Sequence, residues 1–472
     1  MNGLIGLFIT TTFGILITFL FRLDVGRIER IGLGILLGFG FQTFFMFIFY
    51  LFGLKFTLLN SLAEVLGLAL GLSIAIFLTK SFQQIIKFLK IGNSISFFKK
   101  LSSSFIKADL LTKLFVAAIF GLLLTSLLVG VFFPVYGWDS LVLYDFRAIT
   151  FVATGGMADG ISRGYFFGYP LMTSLAHTWM YFFKGNPHLF YWGLYFGFTP
   201  IVYYCLRPFL SRLTLMLTTL ILISLMSIYT GSYFDYTNFP YLIYLISSIL
   251  YLCRYTKEKN KAFLLIGSIL VGLSTWVRQT EPFWVVNMLF VVALLVPEMK
   301  KRFFSTLLIV AISFGIFFAI QQPWRLYETS MIGGGRNISD QAGYAIHSIQ
   351  VFNLPRLIDV VATTIQGTIP TWQPYLLIAF FVGMFARKDI KKARIFLYFV
   401  LANIALLFFG TYIFSYIWPE NWKAIIDSQQ RLSSFIVPLL IIFTATVSDD
   451  YIVQGKKAFQ ALFKFGITKI LD

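Results

Sequence analysis

Apolar runs of about 20 residues alternate with short polar loops along the whole chain. A transmembrane helix needs about 20 consecutive apolar residues, so each run predicts one membrane-spanning helix. The pattern therefore predicts an all-α polytopic membrane protein with about 13 transmembrane helices. The predicted spans are 1–21, 31–53, 57–79, 111–133, 188–206, 212–230, 236–253, 262–277, 282–297, 303–322, 374–386, 394–417 and 431–448.

Composition supports a membrane protein over a soluble one. Charged residues make up 12% of the chain, about half of the ~25% that is usual for soluble domains. Lys and Arg outnumber Asp and Glu by 38 to 20, but the excess bases lie in short loops between the apolar runs. That distribution follows the positive-inside rule and argues against a nucleic acid partner.

The basic loops also predict the orientation of the chain. Placing 80–113, 254–261, 300–302 and 387–394 in the cytoplasm divides the 38 Lys and Arg residues into 28 inside and 10 outside. The N-terminus is then outside and the C-terminus cytoplasmic, in the cell membrane. Residues 1–21 lack a basic n-region and a small-residue cleavage site, so we expect a retained span rather than a signal peptide.

One further apolar stretch, Tyr169–Phe183, does not fit this scheme as a span. Its 15 residues would reach only roughly 22 Å as a helix, which is short of a hydrocarbon core of ~30 Å. If it crossed the membrane, the basic loop at 254–261 would move outside. We therefore expect an interfacial or re-entrant helix on the outer face.

The polar positions suggest four regions. Residues 1–110 are predicted to be appended N-terminal helices followed by a basic cytoplasmic surface segment. The glycine pattern of the second span, including Gly34 and Gly38, should let helices approach closely. The other regions are a core at 111–322 with a first outer loop at 134–187, a long outer loop at 323–373, and C-terminal helices with a basic tail at 374–472.

Charged residues recur at the predicted outer ends of the spans, next to aromatic residues. The densest stretch is "VYGWDSLVLYDFRAI", residues 135–149. A carboxylate such as Asp139 at this place suits a general base, a metal ligand or a helix N-cap, and the residues alone leave all three open. Arg147 suits an ion pair with Asp145 or a contact with lipid headgroups. Other outer charges are Asp235, Arg278, Glu281 and Arg431.

The stretch "YGWDSLVLYDFRAITF" resembles the first outer loop of bacterial membrane glycosyltransferases related to the dolichyl-phosphate-mannose–protein mannosyltransferases. These form a family (glycosyltransferase family 39) of the C-type glycosyltransferase superfamily. Short motifs later in the chain match that family in the same order. The chain departs from the family at Asp145, where the family often has Asn, and at Pro282, where it usually has Gly. The matched positions are Asp139, Arg147-Ala148, Tyr169-Pro170-Leu171, Asp235, Arg278, Glu281, Arg431 and Pro438.

The resemblance implies a C-type glycosyltransferase core and transfer of a sugar from a polyprenyl-phosphate donor to a hydroxyl on the outer face. Asp139 would be the general base of an inverting displacement. Arg147, Arg278 and Arg431 would bind the donor phosphate. Supporting roles are expected for Asp235, Glu281, Asp145 and Tyr169. The acceptor stays open between protein, lipid and glycan.

The sequence predicts no cofactor with certainty. His177, His188 and His347 are all predicted outside, but no two of them have the spacing of metal ligands. We expect isolated histidines of this kind to be satisfied structural residues, and a divalent metal is left open.

Two other functions compete with the transferase. A lipid or glycan transporter or flippase would place polar residues near the bilayer midplane on broken helices, whereas the charges here lie at outer helix ends. An enzyme like an O-antigen polymerase or ligase would also use outer-loop arginines. The Trp-Asp pair directly after a core helix fits that second alternative less well than it fits a transferase.

Overall fold

The computed structural model describes residues 2–23, 25–79, 82–89, 99, 102–103, 105–157, 168–278, 283–332, 338–386, 390–420 and 422–471. Over these residues the chain forms helices and no strand. The helices are α1 (Gly3–Leu20), α2 (Arg27–Leu51), α3 (Leu58–Leu78), α4 (Phe82–Leu89), α5 (Leu110–Phe132), α6 (Asp145–Thr154), α7 (Met172–Phe182), α8 (His188–Leu206), α9 (Arg212–Ser224), α10 (Met226–Tyr229), α11 (Asn238–Glu258), α12 (Lys261–Val277), α13 (Phe283–Met299), α14 (Phe303–Ile332), α15 (Ile338–Gln350), α16 (Leu354–Thr368), α17 (Gln373–Phe385), α18 (Ile390–Ile417), α19 (Ile426–Leu432) and α20 (Ile436–Leu471).

Eight helices in the described ranges are long and apolar enough to cross a membrane, and each coincides with a predicted span. They are α1, α2, α3, α5, α8, most of α14, α18 and the stretch Ser428–Gly455. The number rises to ten if each of two bent pairs is one span. These pairs are α9 with Met226–Ser232, bent by 61°, and α16 with α17, bent by 92°. The protein is therefore a multi-pass α-helical membrane protein.

The predicted count of about 13 spans is too high by this criterion. Helices form at the three remaining positions, but α12 and α13 have only 17 residues each, less than the ~20 that cross a bilayer upright. Helix α11 has 21 residues, yet it includes four tyrosines and a charged C-terminal turn. Residues 239–255 of α11 are all buried, so protein rather than lipid surrounds this helix.

Close packing of α1 on α2 confirms the role predicted for the glycines. A methyl group on Gly14 would overlap the backbone of Gly34 and Gly38. A methyl group on Gly32 would overlap the carbonyl of Gly197 in α8. The prediction separates residues 1–110 from the core, but α1 and α2 pack directly into that core.

The helix α7 is short and buried rather than membrane-spanning. It has 11 residues, and Met172–Met180 are all buried, so its length is only roughly 17 Å. It packs on α2 and α6 and begins directly after Tyr169-Pro170-Leu171. The non-crossing segment predicted at 169–183 is therefore a helix held inside the bundle.

Helix α14 continues ten residues beyond the predicted span end at 322. Pro323 lies inside the helix, and membrane helices tolerate proline because neighbouring groups satisfy the freed backbone. The region 323–373, predicted as a loop, thus contains the end of α14 and the helices α15 and α16. Its first ten residues belong to the bundle.

Candidate functional site

The predicted site residues lie where several helix ends meet. Helix α5 ends there, α8 and α11 begin there, and α12 ends there. Helix α8 packs on both α5 and α11, and α11 packs on α12. The N-terminal end of α11 also contacts the turn Ser433–Phe435 that precedes α20. Residues more than 290 positions apart in the sequence therefore share one end of the bundle.

Asp139 and Arg431 form an ion pair at this end. The Arg431 Nη1 atom is 3.5 Å from Asp139 Oδ2, and the two side chains remain 36% and 40% exposed. The carboxylate and the guanidinium thus face each other, and both remain partly exposed at the surface of the bundle. An exposed pair of this kind contributes little to stability, so stability alone does not explain it.

The backbone around Asp139 tests the helix-cap alternative. A helical segment begins here as predicted, with a π-helical turn at Ser140–Tyr144 that continues into α6. The Asp139 carboxylate makes no capping hydrogen bond to this turn. Single π-helical turns are frequent at functional sites. The carboxylate is therefore directed to Arg431 and not to the helix end.

Arg278 and Arg147 meet at Tyr169. Arg278 donates from Nη2 to the Tyr169 hydroxyl at 3.3 Å and from Nη1 to the Asn238 side chain. Its guanidinium also lies 5.4 Å from the centre of the Tyr169 ring. Arg147 donates to the Tyr169 carbonyl oxygen at 3.2 Å. Tyr169 thus bridges two of the three arginines that were predicted to bind phosphate.

The buried hydroxyl of Tyr144 lies within the electrostatic influence of both Asp139 and Arg278. Its hydroxyl is 3.0 Å from Thr237 Oγ1, and its ring packs edge-on against Tyr169. Burial raises the pKa of Tyr144, with the charge of Asp139 adding to the rise and that of Arg278 opposing it. Both charges therefore act on one buried hydroxyl. We name Asp139, Arg147, Tyr169, Arg278 and Arg431 the site cluster.

Arg147 is fully buried within this cluster. Burial lowers its pKa to about 10, while Tyr144 acts in the opposite direction. A pKa of about 10 still leaves the guanidinium charged at neutral pH. A buried cation beside a hydroxyl is suited to an anionic ligand group.

Asp145 lies behind the site cluster in a buried hydrogen-bond network. Its Oδ1 atom accepts from the Tyr181 hydroxyl at 2.6 Å and lies 3.1 Å from His177 Nδ1. The other ring nitrogen of His177 is 3.0 Å from the Tyr191 hydroxyl. Burial would raise the pKa of Asp145, but the bonds to His177 and Tyr181 outweigh it, so the pKa is lowered. Asp145 therefore anchors α6, the helix that carries Arg147.

Asp235 forms a second buried pair. His188 Nε2 is 2.6 Å from Asp235 Oδ2, and both residues are completely buried. The ring of Tyr136 packs against His188. Asp235 is thus placed to hold the start of α8 beside the turn that precedes α11, and its carboxylate is withdrawn from the surface.

The expectation of a satisfied histidine is confirmed at His177, whose two ring nitrogens both have partners, whereas the Nδ1 atom of His188 is buried without a hydrogen-bond partner among the described residues. The aspartate partners of both histidines were not foreseen. His177 lies 32 residues from Asp145, and His188 lies 47 residues from Asp235. Among the described residues no group of three or more His, Cys, Asp or Glu could hold a metal ion. Glu281, for which a supporting role is predicted, and Pro282 both lie outside the described residues.

The sequence reasoning also missed polar residues at the end of α14. Gln321, Arg325 and Glu328 recur at one-turn spacing and are almost completely buried. They fall at the end of the predicted span 303–322 and in the predicted outer loop 323–373. A hydrophilic i, i+4, i+7 pattern across Pro323 is the signal that could have revealed them.

Comparison with known proteins adds no relative. No family model matches the chain, and neither the curated proteins nor the solved structures contain a significant match. The function must therefore be argued from the site cluster and its surroundings.

Proposed function

We propose that this protein is an inverting glycosyltransferase of the C-type class. It would move a sugar from a polyprenyl-phosphate donor to a hydroxyl acceptor. The same proposal includes about 13 membrane crossings, if the short and bent helices also span, together with a cell-membrane location, a site on the outer face and an N-terminus outside. The class is suggested by the resemblance at Trp138-Asp139 and by the order of the later motifs.

The main support for the proposal is that residues from separate sequence motifs lie together at one end of the bundle. Asp139 pairs with Arg431, although the two residues are far apart in the sequence. Arg278 and Arg147 both form hydrogen bonds with Tyr169. A carboxylate can act as the base of this reaction, and guanidinium groups can stabilise the leaving phosphate. Structural ion pairs alone would not require residues from four separate motifs to meet at one end of the bundle.

The reaction needs a base for the acceptor. As the acceptor oxygen forms its bond to the anomeric carbon, its proton passes to the Asp139 carboxylate, which is placed by the π-helical turn. The bond between the anomeric carbon and the phosphate oxygen breaks, and polyprenyl phosphate leaves with the electron pair. One displacement of this kind inverts the anomeric configuration.

The leaving group needs cations rather than a strong acid. Arginine suits a phosphate because its planar fork donates two parallel hydrogen bonds. Arg431 is the most exposed of the three arginines and stands beside Asp139. We assign the first phosphate contact to Arg431 and a deeper electrostatic role to Arg278 and Arg147. A donor with an isoprenoid tail also accounts for a site at the membrane surface.

The proposal is tested by sugar transfer in membranes that carry the wild type, Asp139→Asn or Asp359→Asn. The substrates are a panel of polyprenyl-phosphate sugars with a cell-wall glycan and lipid acceptor mixture. Asp359 is the matched control, because it is exposed and pairs with exposed Lys423 at 3.0 Å. We expect a loss of at least ~100-fold in turnover for Asp139→Asn, with donor binding retained and no change for Asp359→Asn.

Donor binding is measured separately by photocrosslinking of a polyprenyl phosphate probe. Arg431→Gln should weaken it about tenfold or more, whereas Arg431→Lys should keep part of it as a point charge. Equal turnover in wild type and Asp139→Asn would remove Asp139 from catalysis. Absence of turnover together with saturable probe binding in all variants would favour a lipid transporter.

A further inference from the structure

The last turns of α14 contain a second buried polar group beside the site cluster. Gln321 and Trp324 are 4% and 2% exposed, and Arg325 and Glu328 are almost completely buried as well. Gln321 lies 18 residues after Phe303, at the start of α14, so it stands roughly 27 Å along the helix axis. That distance brings it near the boundary of a ~30 Å hydrocarbon core.

Gln321, Trp324 and the neighbouring Trp284 have buried side-chain atoms that lack hydrogen-bond partners within the part of the chain that the structure describes. Neither the Nε2 nor the Oε1 atom of the Gln321 amide makes a hydrogen bond there. The indole nitrogens of Trp324 and Trp284 are likewise buried without an acceptor among the described residues. Buried donors and acceptors of native proteins are nearly always satisfied, so a bound molecule or water is expected at these atoms.

Aromatic residues lie one turn before and one turn after Gln321 on the same face of α14. Gln321 lies one helical turn beyond Phe317, whose ring stacks on Trp284 with centroids 4.8 Å apart. Three residues later, the Trp324 ring lies 6.3 Å from Trp276. Positions three and four apart share one face of a helix, so Phe317, Gln321 and Trp324 face the same neighbours. Along the helix, Gln321 thus lies between a residue of the stacked Phe317–Trp284 pair and a residue of the Trp324–Trp276 pair.

This combination suits a sugar ring. An amide offers two donor hydrogens and an acceptor oxygen, which together match two neighbouring hydroxyls. Indole N–H groups add further donors, and flat aromatic faces cover the C–H surface of a pyranose. A phosphate would instead require unpaired cations, and an acyl chain would leave the amide unsatisfied.

The group also lies next to the site cluster. Trp276, which contacts Trp324, precedes Arg278 by two residues at the end of α12. A ligand held by Gln321 and Trp324 would therefore lie on the other side of this helix end from Arg278. The end of α12 would then separate this ligand from the site cluster.

We propose that Gln321, Trp324 and Trp284 bind a sugar ring of the acceptor, which makes the acceptor a glycan rather than a protein side chain or a simple lipid. The assignment of this sugar to the acceptor rests on the proposed function. The binding of a sugar ring at Gln321 does not, because it is derived only from the buried polar atoms and the aromatic rings.

The experiment compares Gln321→Leu with Gln322→Leu in the purified full-length protein. Gln322 is the matched control, because it is the adjacent residue of the same type on a different, half-buried face of α14. The probes are methyl glycosides and disaccharides of glucose, mannose, galactose and N-acetylglucosamine. Binding is measured by quenching of tryptophan fluorescence, and thermal unfolding is recorded for each variant.

We expect saturable quenching by at least one glycoside in wild type and in Gln322→Leu, and about tenfold weaker binding in Gln321→Leu. The melting temperature of Gln321→Leu should not fall, because an unsatisfied buried amide is replaced by an apolar group of similar size. In a transfer assay Gln321→Leu should raise the KM for a glycan acceptor about tenfold and leave donor binding unchanged.

Other results overturn the proposal. Equal titration curves for Gln321→Leu and Gln322→Leu would exclude Gln321 from sugar binding. Absence of saturable quenching by every glycoside in wild type would exclude the site itself. Glycoside binding that is retained in a protein without transferase activity would overturn the proposed function and leave the sugar site standing.

Discussion

The buried pair of Asp145 and His177 determines how firmly Arg147 is held. Asp145 has a lowered pKa because hydrogen bonds from its neighbours outweigh the effect of burial. A carboxyl group whose pKa is lower in the folded than in the unfolded state stabilises the fold at pH values above the unfolded pKa, near ~4. That stabilisation is lost as the pH falls through the lower, folded pKa.

Asp145→Asn should therefore lower the stability by about 1–3 kcal/mol at neutral pH, because the charge in the buried network is lost. It should also remove part of the acid sensitivity, so its melting temperature should fall less than that of wild type below about pH 4. Thermal melts in detergent between pH 7 and pH 3 measure both effects. Parallel curves for wild type and variant over this range would contradict the network.

These residues also show where sequence reasoning stops. The motif at Trp138-Asp139, the apolar run before it and the order of the later motifs led to most of the site cluster. The His–Asp pairs could not be derived, because their members lie 32 and 47 residues apart and neither spacing is a helical repeat. Only the packing of α7 and α8 brings these partners together.

Helix packing depends on a few glycines whose neighbours allow no side chain. Gly14→Ala would place a methyl group against the backbone of Gly34 and Gly38, which cannot move aside as a side chain could. We expect a loss of about 1–3 kcal/mol from overpacking and a lower melting temperature. The α1–α2 contact would open, since close approach of these backbones depends on small residues.

Gly67→Ala in α3 is the matched control. A methyl group at Gly67 meets nothing within 4 Å, so only the helix propensity changes, which favours alanine by up to ~1 kcal/mol. Melting curves of the two variants should therefore shift in opposite directions. A fall of equal size in both would show that the glycine contacts of α1 with α2 are not what limits stability.

At the scale of elements, apolar length predicted where helices form but not which of them face lipid. All thirteen predicted positions contain helix, yet α11 is enclosed by α8, α12 and α13. Its tyrosines, such as Tyr244 and Tyr251, are buried and two of them bond to α2. Whether a helix is enclosed depends on its neighbours, and its own sequence does not contain that information.

For the whole molecule, the structure shows which charged residues lie at each end of the bundle, and the distribution of Lys and Arg predicts which end faces the cytoplasm. Arg431 and Asp139 lie at one end, where α11 begins. Arg254, which pairs with the buried Glu29, lies at the other end, where α11 finishes. The loop after α11 is basic, so the positive-inside rule predicts that this end is cytoplasmic and that the site cluster is outside.

This orientation is testable with single cysteines on the two sides. Lys423 has a side chain that is 60% exposed and lies a few residues before Arg431, whereas Lys257 is exposed in the last turn of α11. In intact cells a membrane-impermeant maleimide should label Lys423→Cys and should label Lys257→Cys only after permeabilisation. The native cysteines, Cys205 and Cys253, are buried and are replaced by alanine to remove background.

The reverse labelling pattern would place the site cluster in the cytoplasm. In that case a donor displayed on the outer leaflet could not reach Asp139, and the acceptor would have to be cytoplasmic. Labelling of both positions in intact cells would point instead to two inserted orientations, which the 28 to 10 division of Lys and Arg argues against. Labelling restricted to Lys423→Cys would place the site cluster outside, where a sugar carried on a polyprenyl phosphate is presented to a glycan.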